Sequence, residues 1–179
     1  LCFQQQLSAQ DKGHLESLQQ KLESLKGEDR VKVLLELSGY LIRSEPEKSL
    51  ACSNEIIQLG KTLHSPSILS HGLVEKSVYF KHIRKYDSAL FLLKKAEKTS
   101  EHVSDHRVKG ILNLRFGTLY NDMKKNDSAF IYLDRALNHY KAADDQFHYA
   151  MTLDQKSSTY YTIGEMEASK ACLDEASAI

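Results

Sequence analysis

Apolar residues recur along most of this chain at three- and four-residue intervals, the spacing that gathers them on one face of a helix. Leu112, Phe116, Leu119 and Tyr120 show the pattern plainly. His14, Leu15, Leu18, Leu22 and Leu25 mark a similar face and predict a helix over about residues 11–26. Four pairs of helices are predicted after it. First helices fall at about 29–43, 67–83, 106–123 and 146–162, and second helices at about 46–63, 86–102, 126–142 and 165–179. Turn signals separate the two members of each pair: Ser44-Glu45-Pro46, Arg84-Lys85, Lys125-Asn126 and Gly164. Ser44 with Glu47 reads as a capping box, and Pro46 stands where a first-turn proline is tolerated.

The pairs repeat with a forty-residue phase. Glu47-Lys48-Ser49, Asp87-Ser88-Ala89, Asp127-Ser128-Ala129 and Glu167-Ala168-Ser169 place an acid, then a small residue, at equivalent positions. The acid falls in the first turn of each second helix, where the macrodipole favours negative charge. Tyr40, Phe80, Tyr120 and Tyr160 form an aromatic column, and Leu37, Ser77, Gly117 and Ser157 a mostly small one. Ser53, Leu93, Leu133 and Leu173 form a leucine column, and Ile56, Ala96, Ala136 and Ala176 another small one. Five columns in one phase make a repeat array. The organisation predicted is an N-terminal capping helix at 10–27 and an array at 28–179, with units at about 28–65, 66–105, 106–145 and 146–179. Leu173, Ala176 and Ile179 on one side of the last helix lead us to expect a continuing chain, or a partner, against that end.

Composition agrees with long helices: 8 Gly and 2 Pro in 179 residues, and helix interiors avoid both. The 24 basic residues balance the 24 acidic ones, so nothing draws a phosphate backbone from a distance, and nucleic acid is not an expected partner. Three cysteines are too few for a disulfide framework. Cys52 and Cys172 share a column three units apart and read as buried packing residues. At the start, Leu1-Cys2-Phe3 and Leu7-Ser8-Ala9 read as a signal-peptide remnant over residues 1–9, which would carry Cys2 away on export. The other reading of the same residues is the frayed start of a helix. No apolar run is long enough to span a bilayer, so any membrane attachment is expected to lie outside this segment.

These columns resemble the tetratricopeptide repeat family, most closely in the third unit: Phe116-Gly117 and Tyr120, then Ala129, Leu133 and Ala136. The resemblance covers about residues 29–179. It implies a right-handed superhelical α-solenoid of antiparallel helix pairs, about four repeats plus the N-terminal helix, with first helices lining an inner groove. The family's tryptophan is replaced by Val33, Leu73, Asn113 and Leu153, and Glu36, Lys76 and Lys156 occupy a usually apolar column. In the first unit Leu41 stands ready to serve in place of Tyr40. The family's usual unit is about 34 residues, and the extra length here is expected to continue the second helices through Gln58–Leu63, Lys98–Val103 and Leu137–Ala142. Long units of this texture resemble the N-terminal sensor regions of bacterial histidine kinases and related regulators.

Carrying the groove over residue by residue gives Ser38, Leu41 and Ile42 in the first unit and His71, Val74, Val78, Lys81 and His82 in the second. It gives Ile111, Leu114, Thr118, Asn121 and Asp122 in the third and Met151, Asp154, Ser158, Tyr161 and Thr162 in the fourth. Lys81, Asn121 and Asp122 suit backbone or charged groups of an extended peptide, and Tyr161 suits an aromatic anchor. His102 and His106 are four apart, but Ser104-Asp105 between them reads as a turn, so no metal site is expected there. His71 and His82 share a helix face and read as solvated groove residues. No phosphate loop, nucleophile motif or cofactor motif is present. The expectation is a protein- or peptide-binding scaffold without enzymatic activity, metal or cofactor. Its expected setting is the periplasmic or cell-envelope sensing module of a longer signalling protein. The alternatives are a stand-alone adaptor or a cytoplasmic peptide-responsive regulator.

Overall fold

The structure, a computed structural model, describes residues 9–179, with side chains from residue 13 onward. The signal-peptide reading and Cys2 lie outside the described residues. Among those described there are nine helices and no strand: α1 (Ala9–Ser24), α2 (Gly27–Ser44), α3 (Pro46–Thr62), α4 (Pro66–His82), α5 (Tyr86–Thr99), α6 (His106–Asp122), α7 (Asn126–Ala142), α8 (Gln146–Thr162) and α9 (Met166–Ser177). No helix among the described residues is long and apolar enough to cross a membrane.

The chain forms two compact units, Leu1–Thr99 and Ser100–Ile179. Within each unit every helix packs on the next along the chain, the arrangement of an α-solenoid. In the first unit α1 lays Leu15 and Leu18 on a core that holds Val31, Leu34, Leu37, Leu41, Cys52 and Ile56. In the second, Leu114, Leu133, Ala136 and Tyr140 are buried together. One predicted extension fails: α5 stops at Thr99 rather than running on through Val103. Serines and a histidine crowd the next few positions, and all of these are poorer helix formers than leucine or alanine.

Five turns share one solution. His64, Arg84, Lys124, Asp144 and Gly164 all have positive φ, between 50° and 84°, and stand at intervals of twenty or forty residues. Each follows a helix, and the next residue's N–H donates back across the turn: Ser65 to Gly60, Lys85 to Phe80, Lys125 to Tyr120, Asp145 to Tyr140 and Glu165 to Tyr160, at 2.8–3.1 Å. This six-to-one bond is the Schellman closure of a helix C-terminus. Four of the five left-handed residues are not glycine, so the packing of adjacent helices must hold them there. Ser65 and Asp145, each just past one of these turns, and Asp105 cap α4, α8 and α6 by accepting from the N–H groups of Ile68, His148 and Arg107. The predicted Ser44–Glu47 capping box does not form. Ser44 belongs to α2 and Glu45 holds the cap position of α3, so the serine side chain cannot reach the next helix's amides. Glu47 instead accepts from the Tyr79 hydroxyl at 2.7 Å.

The small columns set how closely helices approach. A Cβ on Gly117 would lie 2.7 Å from Cγ of Leu133, and one on Gly60 would lie 2.5 Å from the backbone nitrogen of Leu69. Ala89, Ala129 and Ala136 are fully buried. Where the alanine column carries serine, each hydroxyl finds a buried partner: Ser49 with Ser38 at 2.9 Å and Ser169 with Ser157 at 2.8 Å. In the first unit Leu41 is buried while Tyr40 is exposed and rests on His14, so the leucine takes the aromatic's place.

The polar residues in the apolar column also have work. Glu36 pairs with His14 at 2.8 Å, Lys76 with Asn54 at 2.7 Å and Lys156 with Asp134 at 2.6 Å. Each bond spans twenty-two residues and ties a first helix to the helix before it. In the third unit Phe116 fills this column, stacking on Tyr132 at 4.7 Å, and Tyr120 one turn along stacks on the same ring at 5.4 Å.

Two stability changes follow. Ala129→Leu should cost about 1–3 kcal/mol, because a fully buried contact between α6 and α7 would be overpacked; a melting curve that does not move would show that the helices do not meet there. Lys124→Gly should stabilise by up to about 1 kcal/mol, since relief of left-handed strain exceeds glycine's added chain entropy. A lowered melting temperature for Lys124→Gly would contradict the turn geometry.

Candidate functional site

The groove residues divide between the two units, and each set is described in its own unit. In the first, α2 touches α4 directly. Ser38, Leu41 and Val74 are buried in this unit. These three were expected to face a partner; packing takes them instead. His71, Val78 and Lys81 are half-buried on α4, and His82 is exposed near its C-terminus.

In the second unit α6 touches α8. Leu114 is only 5% exposed and belongs to the core with Leu133 and Tyr140, so it too is withdrawn from the expected groove. Ile111 is half-buried against the same cluster. Thr118 and Asn121 are half-buried and Asp122 is exposed. Thr118 donates to the Arg115 carbonyl at 3.1 Å. The Oδ1 atom of Asn121 is buried and has no hydrogen-bond partner, which leaves a strong acceptor unmatched at the edge of this face.

The α8 residues form a cleaner surface. Met151, Asp154, Ser158, Tyr161 and Thr162 are all exposed. Phe147, which the family-based carry-over omits, is 70% exposed, and Tyr161 is 64% exposed. Phe147, Met151, Asp154, Ser158 and Tyr161 are spaced by four, three, four and three, so they fall on one stripe of α8. Aromatic ends thus flank a polar middle. The signal for Phe147 was in the sequence, as this same spacing extended one step toward the helix start.

The start of that helix is firmly placed. Asp145 caps α8, accepts a hydrogen bond from His148 Nδ1 at 2.9 Å and forms an ion pair with Arg107, Nε to Oδ2 at 3.2 Å. Burial works against its charge, but the bonds from His148 and the charges of His148 and Arg107 hold its carboxyl below the usual range. The ring of His148 in turn stacks on buried Tyr140 at 5.2 Å. Tyr140 needs Gly110, where any Cβ would lie 2.7 Å from its ring.

Other candidates resolve in less active ways. Cys52 and Cys172 are buried free thiols. Burial, and next to it the charge of Glu55, raises the Cys52 pKa to about 11, so the unreactive thiol dominates at neutral pH. His102 and His106 do not share a helix, because α5 ends at Thr99 and α6 begins at His106. His106 instead faces His139 on α7, with the two Nδ1 atoms 3.1 Å apart. Among the described residues no group of three or more His, Cys, Asp or Glu is arranged to hold a metal ion. A shallow cleft of about 490 Å³ lies between α4 and α5, lined by Lys76, Phe80, Asp87, Ser88, Phe91 and Leu92. None of these belongs to the expected groove.

No protein-family model and no curated protein matches the chain. Solved structures do match. One is the crystal structure of BtubC (BKLC) from P. vanneervenii, with a TM-score of 0.66 and 16% sequence identity over 94% of this chain and 74% of that one. At that identity the likeness concerns the fold alone, and the fold it shares is the one described above.

Proposed function

We propose that this chain is a tetratricopeptide-type scaffold that binds a protein or an extended peptide, with the α6–α8 face of the second unit as its principal site. The observation that carries the reading is the exposed stripe Phe147, Met151, Asp154, Ser158 and Tyr161. Large aromatics left in solvent are costly surface unless something covers them, and such residues dominate the energetics of known interfaces. Apolar side chains of the ligand would cover Phe147 and Tyr161. Binding rather than catalysis is proposed, since the titratable groups beside the stripe serve to cap and brace α8.

The setting we propose is the extracytoplasmic sensing module of a longer bacterial signalling protein. Its support is the length of the repeat and the Leu7-Ser8-Ala9 cue. Fractionation of the natural host protein tests that setting, with recovery in the cytosol as the opposing result.

Binding is tested by selecting peptides from a displayed library on the wild-type chain. Selected peptides should bind Phe147→Ser and Tyr161→Ala at least tenfold more weakly, a loss of about 1.4 kcal/mol or more. Unchanged affinity in both aromatic variants would remove the site from this face.

A further inference from the structure

Two imidazoles on different helices of the second unit meet at their ring nitrogens. His106 is the first residue of α6, and His139 lies in the last turn of α7. Their Nδ1 atoms are 3.1 Å apart, with ring centroids at 5.3 Å and planes tilted by 48°. Without an ion, one ring must donate its N–H to the other. The spacing has a second meaning. Two imidazole nitrogens bound to one zinc-class ion at about 2.0–2.1 Å stand about 2.9–3.4 Å apart, from right-angled to tetrahedral ligation. The observed separation lies inside that window.

We propose that His106 and His139 chelate one divalent transition-metal ion of the imidazole-preferring class, with water completing its coordination. Zinc, nickel and copper prefer imidazole ligands, whereas magnesium and calcium take oxygen. His106 is exposed, so an ion can reach the pair, and its ring has room to turn its lone pair off the nitrogen–nitrogen line. The backbone under both rings is fixed, because α6 and α7 pack along their length. The electrostatics divide between the two ends. The C-terminus of α7 favours a cation, while the N-terminus of α6 and Lys109 oppose one. With two protein ligands and an opposing lysine, the site is suited to reversible occupancy. Filling it would pin the start of α6 to the end of α7.

The test is calorimetric titration of the tag-free chain with zinc chloride in a non-coordinating buffer, with magnesium chloride as a control. One zinc per chain should bind, and magnesium should not. His106→Gln and His139→Gln should each weaken zinc at least tenfold, His102→Gln should leave it unchanged, and Lys109→Ala should tighten it. Both histidine positions are at or near the surface, and circular dichroism verifies that the variants keep their helices. A tightened Lys109→Ala variant would separate ion binding from a merely structural histidine contact. Absence of zinc binding, or zinc binding that survives loss of either histidine, would overturn the proposal.

Discussion

Helix pairs in this chain approach one another more closely than ordinary side chains permit. Gly117 sits against Leu133, Gly60 against the backbone of Leu69, and Ala129 and Ala136 are wholly buried. Interaxial distance follows the residues at the contact. Small residues at these positions therefore set the spacing on which the rest depends. That spacing brings α6 onto α8 and α2 onto α4. It buries Val74 and Leu114 and leaves the stripe from Phe147 to Tyr161 outside. It also holds Lys124, Asp144, Arg84 and His64 in a left-handed conformation that none of them prefers.

Polar residues within this packing are matched rather than tolerated. Serines in the alanine column find other serines, and Glu36, Lys76 and Lys156 reach back to the preceding helix in one register. Partly exposed pairs of this kind contribute about 1 kcal/mol or less each. Their value lies in replacing an aromatic contact like that of Phe116 without opening a hole. A unit that departs from the apolar pattern can thus keep the same helix-to-helix geometry.

Much of the fold was legible in the residues. Periodicity placed all nine helices, and the forty-residue phase picked out Gly117, Ala129 and Ala136 as contact positions, because burial and close approach leave a chemical mark. Leu41 in place of Tyr40 could be read for the same reason. The end of α5 and the failed Ser44 cap were not legible, since each depends on how far a helix continues, and local composition fixes that poorly. Of the expected groove residues, Tyr161, Met151, Ser158 and Asp154 are exposed on one face of α8. Val74 and Leu114 are buried instead, Leu114 in the core with Leu133 and Tyr140, because alignment to the family pattern does not state which groove-side positions the packing covers. The His106–His139 meeting was hidden altogether, as it pairs residues on two helices whose rotation no sequence pattern states.

The central claim is that a ligand lies along the α6–α8 face. Hydrogen exchange read by mass spectrometry, with and without a selected peptide, tests it without altering the chain. The account predicts slowed exchange in the first turn of α8 and in the turns that follow α6 and α8, around Asn121 and Tyr161. Protection confined to α7 and α9, with these segments unchanged, would contradict it.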